Sequence, residues 1–242
     1  RRVQMVAGVT VVVGIGCYLI AVTQGVALIL SNLTALSYTQ ALILAWASYT
    51  SFTLYSGSRG VVITDTMMFL LFSLVSFMAM FSIFETHGGW LAAMDGLVHL
   101  ESKPNLMAWH GMTGPGQRWE TPLDYMIWFL IVSVGWSFVT AVSPWQSSRY
   151  LMARNEQVVL RSAAVAVISI AVIQMVVFAA SATVNLSNAG IDPREEVMIW
   201  ASTNLLTPII GALVLSGLVA AGLSSASTFL SLVGFNMSND IF

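Results

Sequence analysis

Ser216-Gly-Leu-Val-Ala-Ala-Gly-Leu-Ser-Ser-Ala-Ser-Thr228 lies inside an apolar run, residues 207–233, long enough to cross a bilayer as a helix. At helical spacing Ala221, Ser224, Ser225 and Thr228 fall on one face, at i, i+3, i+4 and i+7. In hydrocarbon, a face of clustered oxygens is costly unless it packs on another helix or binds something polar. Two readings are open. Gly217, Ala221 and Ser225 form a small-xxx-small stripe of the kind that seats one helix against another. The same hydroxyls and carbonyls are hard oxygen donors suited to a cation such as sodium.

Composition assigns the broad class. Of 242 residues, 57% are hydrophobic and only 8% are charged, with a mean hydropathy of +0.82. A soluble domain carries about 25% charged residues. The chain reads as an all-α integral membrane protein, since its apolar runs suit spanning helices rather than barrel strands. The net charge of -2 says little, because charge in such a protein matters by location, and no nucleic-acid partner is expected. The one cysteine, Cys17, rules out a disulfide framework and reads as a small core residue. Arg1-Arg-Val-Gln precedes an apolar run too long for a signal-peptide core, and the chain reads as an internal piece of a longer membrane protein.

Six spanning segments are expected: residues 3–30, 38–55, 61–84, 123–142, 158–183 and 207–233. The polar stretch 85–120 carries all three histidines, His87, His99 and His110. Their spacings match no zinc pattern, so they read as surface histidines. A short interfacial helix anchored by Trp90 is expected over 88–97, and another over 195–205. With the Arg1 end cytoplasmic, Arg1, Arg2, Arg59, Arg149, Arg154 and Arg161 lie inside, and Lys103, Arg118 and Arg194 lie outside. That bias favours this orientation in a plasma (inner) membrane, with the Phe242 end also cytoplasmic.

Asp65 is the one acid placed within a spanning segment, one turn in after Ser56-Gly-Ser-Arg-Gly60. An intramembrane carboxylate is by default a functional residue. The plainer alternatives are snorkelling to the surface or pairing with Arg59, although six residues is poor spacing for a same-face pair. A cation held jointly by Asp65, Ser224, Ser227 and Thr228 would have an all-oxygen shell. Farther along, Gly135-Trp-Ser-Phe-Val-Thr-Ala-Val-Ser-Pro144 sets Trp136, Thr140 and Pro144 four residues apart beside a helix break. Broken helices line the sites of many secondary transporters, though a packed Trp and a helix-ending Pro account for the pattern equally well. Intramembrane serines without an intramembrane His or Lys offer no nucleophile and base, so no enzyme is expected.

Together these clusters resemble the sodium:solute symporter family, whose members carry proline, pantothenate, sugars or sialic acid with sodium. Ser56-Gly-Ser-Arg-Gly-Val-Val-Ile-Thr-Asp65 is similar to the family segment GGxxAVxWTD, with Ser56 for a glycine and Ile63 for the tryptophan. Gln146-Ser-Ser-Arg-Tyr-Leu-Met-Ala-Arg154 is similar to QRxxAAKS. The stretch from Leu215 to Phe242 is similar to LLSAxLAAxMSTxxSxLLxxSSxxxxDIY, ending in Asn239-Asp-Ile-Phe242.

The resemblance implies that the six helices are the third to eighth of a ten-helix core built from two inverted repeats. Residues 1–84 would end the first repeat, 85–120 would form an extracellular loop, and 121–242 would start the second repeat. One sodium site would use Ala221, Ser224 and Ser225. A further site would use Asp65, Ser224, Ser227 and Thr228. Trp136, Thr140 and Pro144 would face a small organic solute; the proline-carrying branch has Tyr where this chain has Thr140. The implied activity is sodium-coupled symport by alternating access, with one or two sodium ions. The alternative is a transporter-like sensory domain fused to a signalling module.

Overall fold

The computed structural model describes residues 2–241, apart from the side chains of Ser58 and Arg59. All regular structure among the described residues is helical. The order is α1 (Arg2–Leu33), α2 (Tyr38–Thr86), α3 (Trp90–Val98), α4 (Pro122–Val142), α5 (Pro144–Leu151), α6 (Glu156–Val184), α7 (Val197–Asn204) and α8 (Pro208–Asn236). A 3-10 turn at Arg194–Glu196 leads into α7, and a π turn at Met237–Ile241 closes α8.

Among the described residues, five helices are long and apolar enough to cross a membrane: Arg2–Leu33, Gly60–Thr86, Pro122–Val142, Glu156–Val184 and Pro208–Ile241. This is compatible with an integral membrane location. The sixth expected span, 38–55, is helical but does not reach that apolarity. Gln40 and a run of Thr, Ser and Tyr interrupt its apolar residues. It joins the next helix within α2 through Gly57, whose φ of 58° and ψ of -173° break the helical run. A side chain rarely tolerates that conformation, so the kink depends on glycine.

The chain forms two compact units. In the first (Arg1–Ser76 with Ile209–Phe242), α8 lies against α1 and against the second half of α2. Small residues permit both approaches. A side chain on Gly217 would meet Val75 at 3.4 Å, and one on Gly222 would run into Val26. Tyr18 meets Phe229 edge-on at 5.0 Å, and Gln4 donates to Asp240 at 2.7 Å. These pairs, from Val26 with Gly222 down to Gln4 with Asp240, run in opposite senses, so α8 is antiparallel to α1. Asp65 with Thr228 and Val75 with Gly217 make α8 antiparallel to the second half of α2 as well. It follows that α1 and the second half of α2 run parallel.

The second unit (Phe77–Pro208) holds α3 to α7. Thr121 caps α4 by accepting from the Asp124 amide, and Asp124 accepts in turn from the Thr121 amide, a capping box. Asn155 caps α6 through the Val158 amide. No residue of α4 is buried. Cys17 is exposed on α1 rather than in a core, because few α1 side chains have a neighbour within this chain.

Candidate functional site

Asp65 lies near the start of the second half of α2, and its half-buried carboxylate meets α8. Ser224 Oγ donates to Oδ1 at 2.5 Å and Thr228 Oγ1 donates to Oδ2 at 3.0 Å. The two hydroxyls are one helical turn apart, so both reach the same carboxylate, one on each oxygen. Farther along that face Gly217 lies against Phe72 and Val75, where an added Cβ would stand 3.4 Å from the nearest Val75 atom. The small-residue stripe and the hydroxyl cluster are therefore parts of one interface. Gly217 meets Val75 and Phe72 at one end of the contact, and the Asp65 carboxylate meets Ser224 and Thr228 at the other.

Chemically this is a set of hard oxygens with one negative charge. Each hydroxyl has used its proton on Asp65 and keeps lone pairs for a cation. Sodium fits that donor set, which offers carboxylate and hydroxyl oxygen and no sulfur or imidazole. Arg59, the alternative partner weighed for Asp65, has its side chain outside the described residues. Arg1 and Phe242, expected on the cytoplasmic side, also lie outside them.

The remaining sequence-designated residues are placed differently. Ser227 is buried, and its hydroxyl donates to the Ser224 carbonyl at 2.9 Å while accepting from no group on α2 among the described residues. Ser231 donates to the Ser227 carbonyl in the same manner. The structure thus brings Ser224 and Thr228 to Asp65 but directs Ser227 along its own helix. Ser225 Oγ donates to the Ala221 carbonyl at 3.1 Å, so those two first-site oxygens are already adjacent. No protein-family model, curated protein or solved structure gives a significant match to this chain.

In the second unit the helix break expected at Pro144 is present. Ser143 ends α4 and begins α5 in an extended conformation, and its hydroxyl donates to the Thr140 carbonyl at 3.0 Å. Pro144 is the first residue of α5, where a missing N–H costs nothing. Thr140 Oγ1 donates to the Trp136 carbonyl at 2.8 Å, and Trp136 is 59% exposed. Trp136 and Thr140 therefore lie one turn apart on α4, Trp136 exposed and Thr140 half-buried, whereas Pro144, half-buried beyond the extended Ser143, belongs to α5 and does not continue the expected single stripe.

The histidines are engaged locally. His87 Nδ1 meets the Ile83 carbonyl at 2.8 Å, and its Nε2 meets Ser187 Oγ at 2.9 Å. A carbonyl only accepts, so Nδ1 carries the proton and Nε2 accepts from Ser187. His99 turns back to Asp95, and His110 to the Gly111 carbonyl. No group of three acidic, His or Cys residues able to hold a metal occurs among the described residues.

Two features escaped sequence reading. Thr23 and Tyr49 share a buried hydrogen bond of 3.2 Å, tying α1 to the first half of α2. Lys103 donates to Asn185 at 2.6 Å, and Arg194 lines the same cavity. Burial, followed by the nearby Arg194 charge, holds the Lys103 ammonium below the ordinary lysine range. Both pairings join residues far apart in sequence, and no local spacing signals them.

Proposed function

We propose that this chain is part of a sodium-coupled secondary transporter, embedded in the plasma (inner) membrane, that carries a small organic solute by alternating access. The observation that carries the reading is the Asp65 carboxylate held between Ser224 and Thr228. A carboxylate within an apolar helix needs a compensating cation or strong donors, and this one has oxygen-rich surroundings that suit sodium. Ala221 and Ser225, one turn apart on α8 and half-buried, bring a second pair of oxygens together, the Ser225 hydroxyl on the Ala221 carbonyl. The resemblance to sodium:solute symporters implies sodium at both groups and solute at Trp136, Thr140 and Pro144.

The parallel course of α1 and the second half of α2 supports the expected six spans. A chain that crosses in α1 and crosses again in the same sense must return between them. The polar helix over 38–55 is the segment available, and about 28 Å of helix suffices for the hydrocarbon core. Its polar side chains would then face protein rather than lipid, as Tyr49 does toward Thr23. Six crossings put both ends on the same side, and the arginine bias puts that side in the cytoplasm.

Coupling follows if sodium binds one conformational state more tightly than the other, since a ligand shifts an equilibrium only by its differential affinity. Sodium between α2 and α8 would favour the state in which these helices meet as they do here. The test is uptake into proteoliposomes of the full-length protein across a panel of amino acids, sugars and organic acids. An inward sodium gradient should drive accumulation of at least one class, and an equal potassium gradient should not. Accumulation that is indifferent to sodium would contradict the proposal.

A further inference from the structure

A second charged site lies in the loop-rich unit, away from any sequence-designated residue. Lys103, Asn185 and Arg194 line a half-open cavity of about 180 Å³ whose walls include Leu106, Met112 and Ile191. Lys103 is half-buried, and its ammonium donates one hydrogen bond, to Asn185 Oδ1 at 2.6 Å. The Asn185 amide nitrogen donates to the Ala182 carbonyl at 2.8 Å, which fixes the oxygen toward Lys103. Neither Lys103 nor Arg194 makes an ion pair with a described residue. The C-terminal end of α6 at Asn185 favours one nearby cation. It does not account for two.

Two like charges on one half-open cavity repel, and the Lys103 ammonium is held low first by its partial burial and then by the Arg194 charge. A compact anion would reverse it. The ammonium has two further N–H groups and the guanidinium has five donors. The apolar walls would strengthen charge-assisted bonds by excluding water. The volume holds several waters or one small anion, but not a bulky one.

We propose that Lys103 and Arg194 form a binding site for a compact monoanion, either chloride or a single carboxylate group, on the loops linking α3 to α4 and α6 to α7. The site is independent of the sodium ligands and stands or falls without them.

The experiment melts the purified full-length protein in lipid nanodiscs at constant sodium. Chloride or acetate progressively replaces the bulky anion morpholinoethanesulfonate. A saturable rise in melting temperature is expected, and the anion that saturates at the lower concentration distinguishes halide from carboxylate. Lys103→Met should raise the half-saturating concentration about tenfold, the equivalent of losing one charge-assisted hydrogen bond. Arg194→Gln should do the same, and Lys103→Arg should largely restore binding. A melting temperature indifferent to the anion overturns the proposal. So does unchanged saturation in Arg194→Gln, an exposed substitution that keeps the test intact if Lys103→Met fails to fold.

Discussion

Asp65 takes two hydroxyl donors from a single turn of α8, one for each carboxylate oxygen. That pairing was legible in the sequence, because one acid in an apolar helix needs a partner and Ser224 and Thr228 share a helical face. The place of Ser227 was not. It is three residues from Ser224, and a serine in a helix can turn its hydroxyl onto the carbonyl of the preceding turn. Sequence spacing does not distinguish that choice from ligation, and the structure shows Ser227 bonded to the Ser224 carbonyl. Ser225 makes the same kind of bond to Ala221, yet its oxygen stays on the half-buried side of α8. Ser225→Ala in the full-length protein should raise the sodium concentration for half-maximal uptake about fivefold, corresponding to roughly 1 kcal/mol for one neutral hydrogen-bonding oxygen. Ser225→Thr should be milder because it keeps that oxygen. Equal sodium dependence in wild type and Ser225→Ala would assign the residue to packing alone.

Helix placement was largely legible, since long apolar runs fix most spans and the breaks at Pro144 and near Asn185 carry their own signals. The start of α4 is an example. Thr121-Pro-Leu-Asp124 has the spacing of a capping box with Pro at the first helical position, and the helix begins there, one residue before the expected start. The kink within α2 was legible only as a gap between two segments. Composition could not tell a loop from a merged helix, because one glycine in a rare conformation does the work of a turn. Gly57→Ala should destabilise the purified protein by about 1–3 kcal/mol through backbone strain. No neighbouring atom would crowd the added methyl, so steric conflict is not the cause. Gly14→Ala on α1 has similarly open space and ordinary helical backbone, and it should be neutral or stabilising by about 0.5–1 kcal/mol. Thermal melts of the two variants side by side check both expectations. Equal melting temperatures would remove the special role of Gly57.

At the scale of the molecule, sequence gave the membrane class but not the arrangement of its helices. Five spans meet the hydropathy of a crossing helix among the described residues, and the parallel course of α1 and the second half of α2 is what bears on the expected sixth, 38–55. Exposure along α4, where Trp136 stands out from the chain, is a whole-molecule property that local spacing cannot reveal. The oxygen cluster that joins α2 to α8 is the centre of the proposed sodium site. Binding of radiolabelled sodium to the purified full-length protein tests it most directly. Asp65→Asn should weaken one class of site at least tenfold, since it removes the only formal negative charge among the proposed ligands. Thr228→Val should weaken the same class, and Ser227→Ala, whose hydroxyl is turned away, should leave it near wild type. Wild-type sodium binding in both Asp65→Asn and Thr228→Val would contradict the account and leave the cluster as a hydrogen-bonded helix contact.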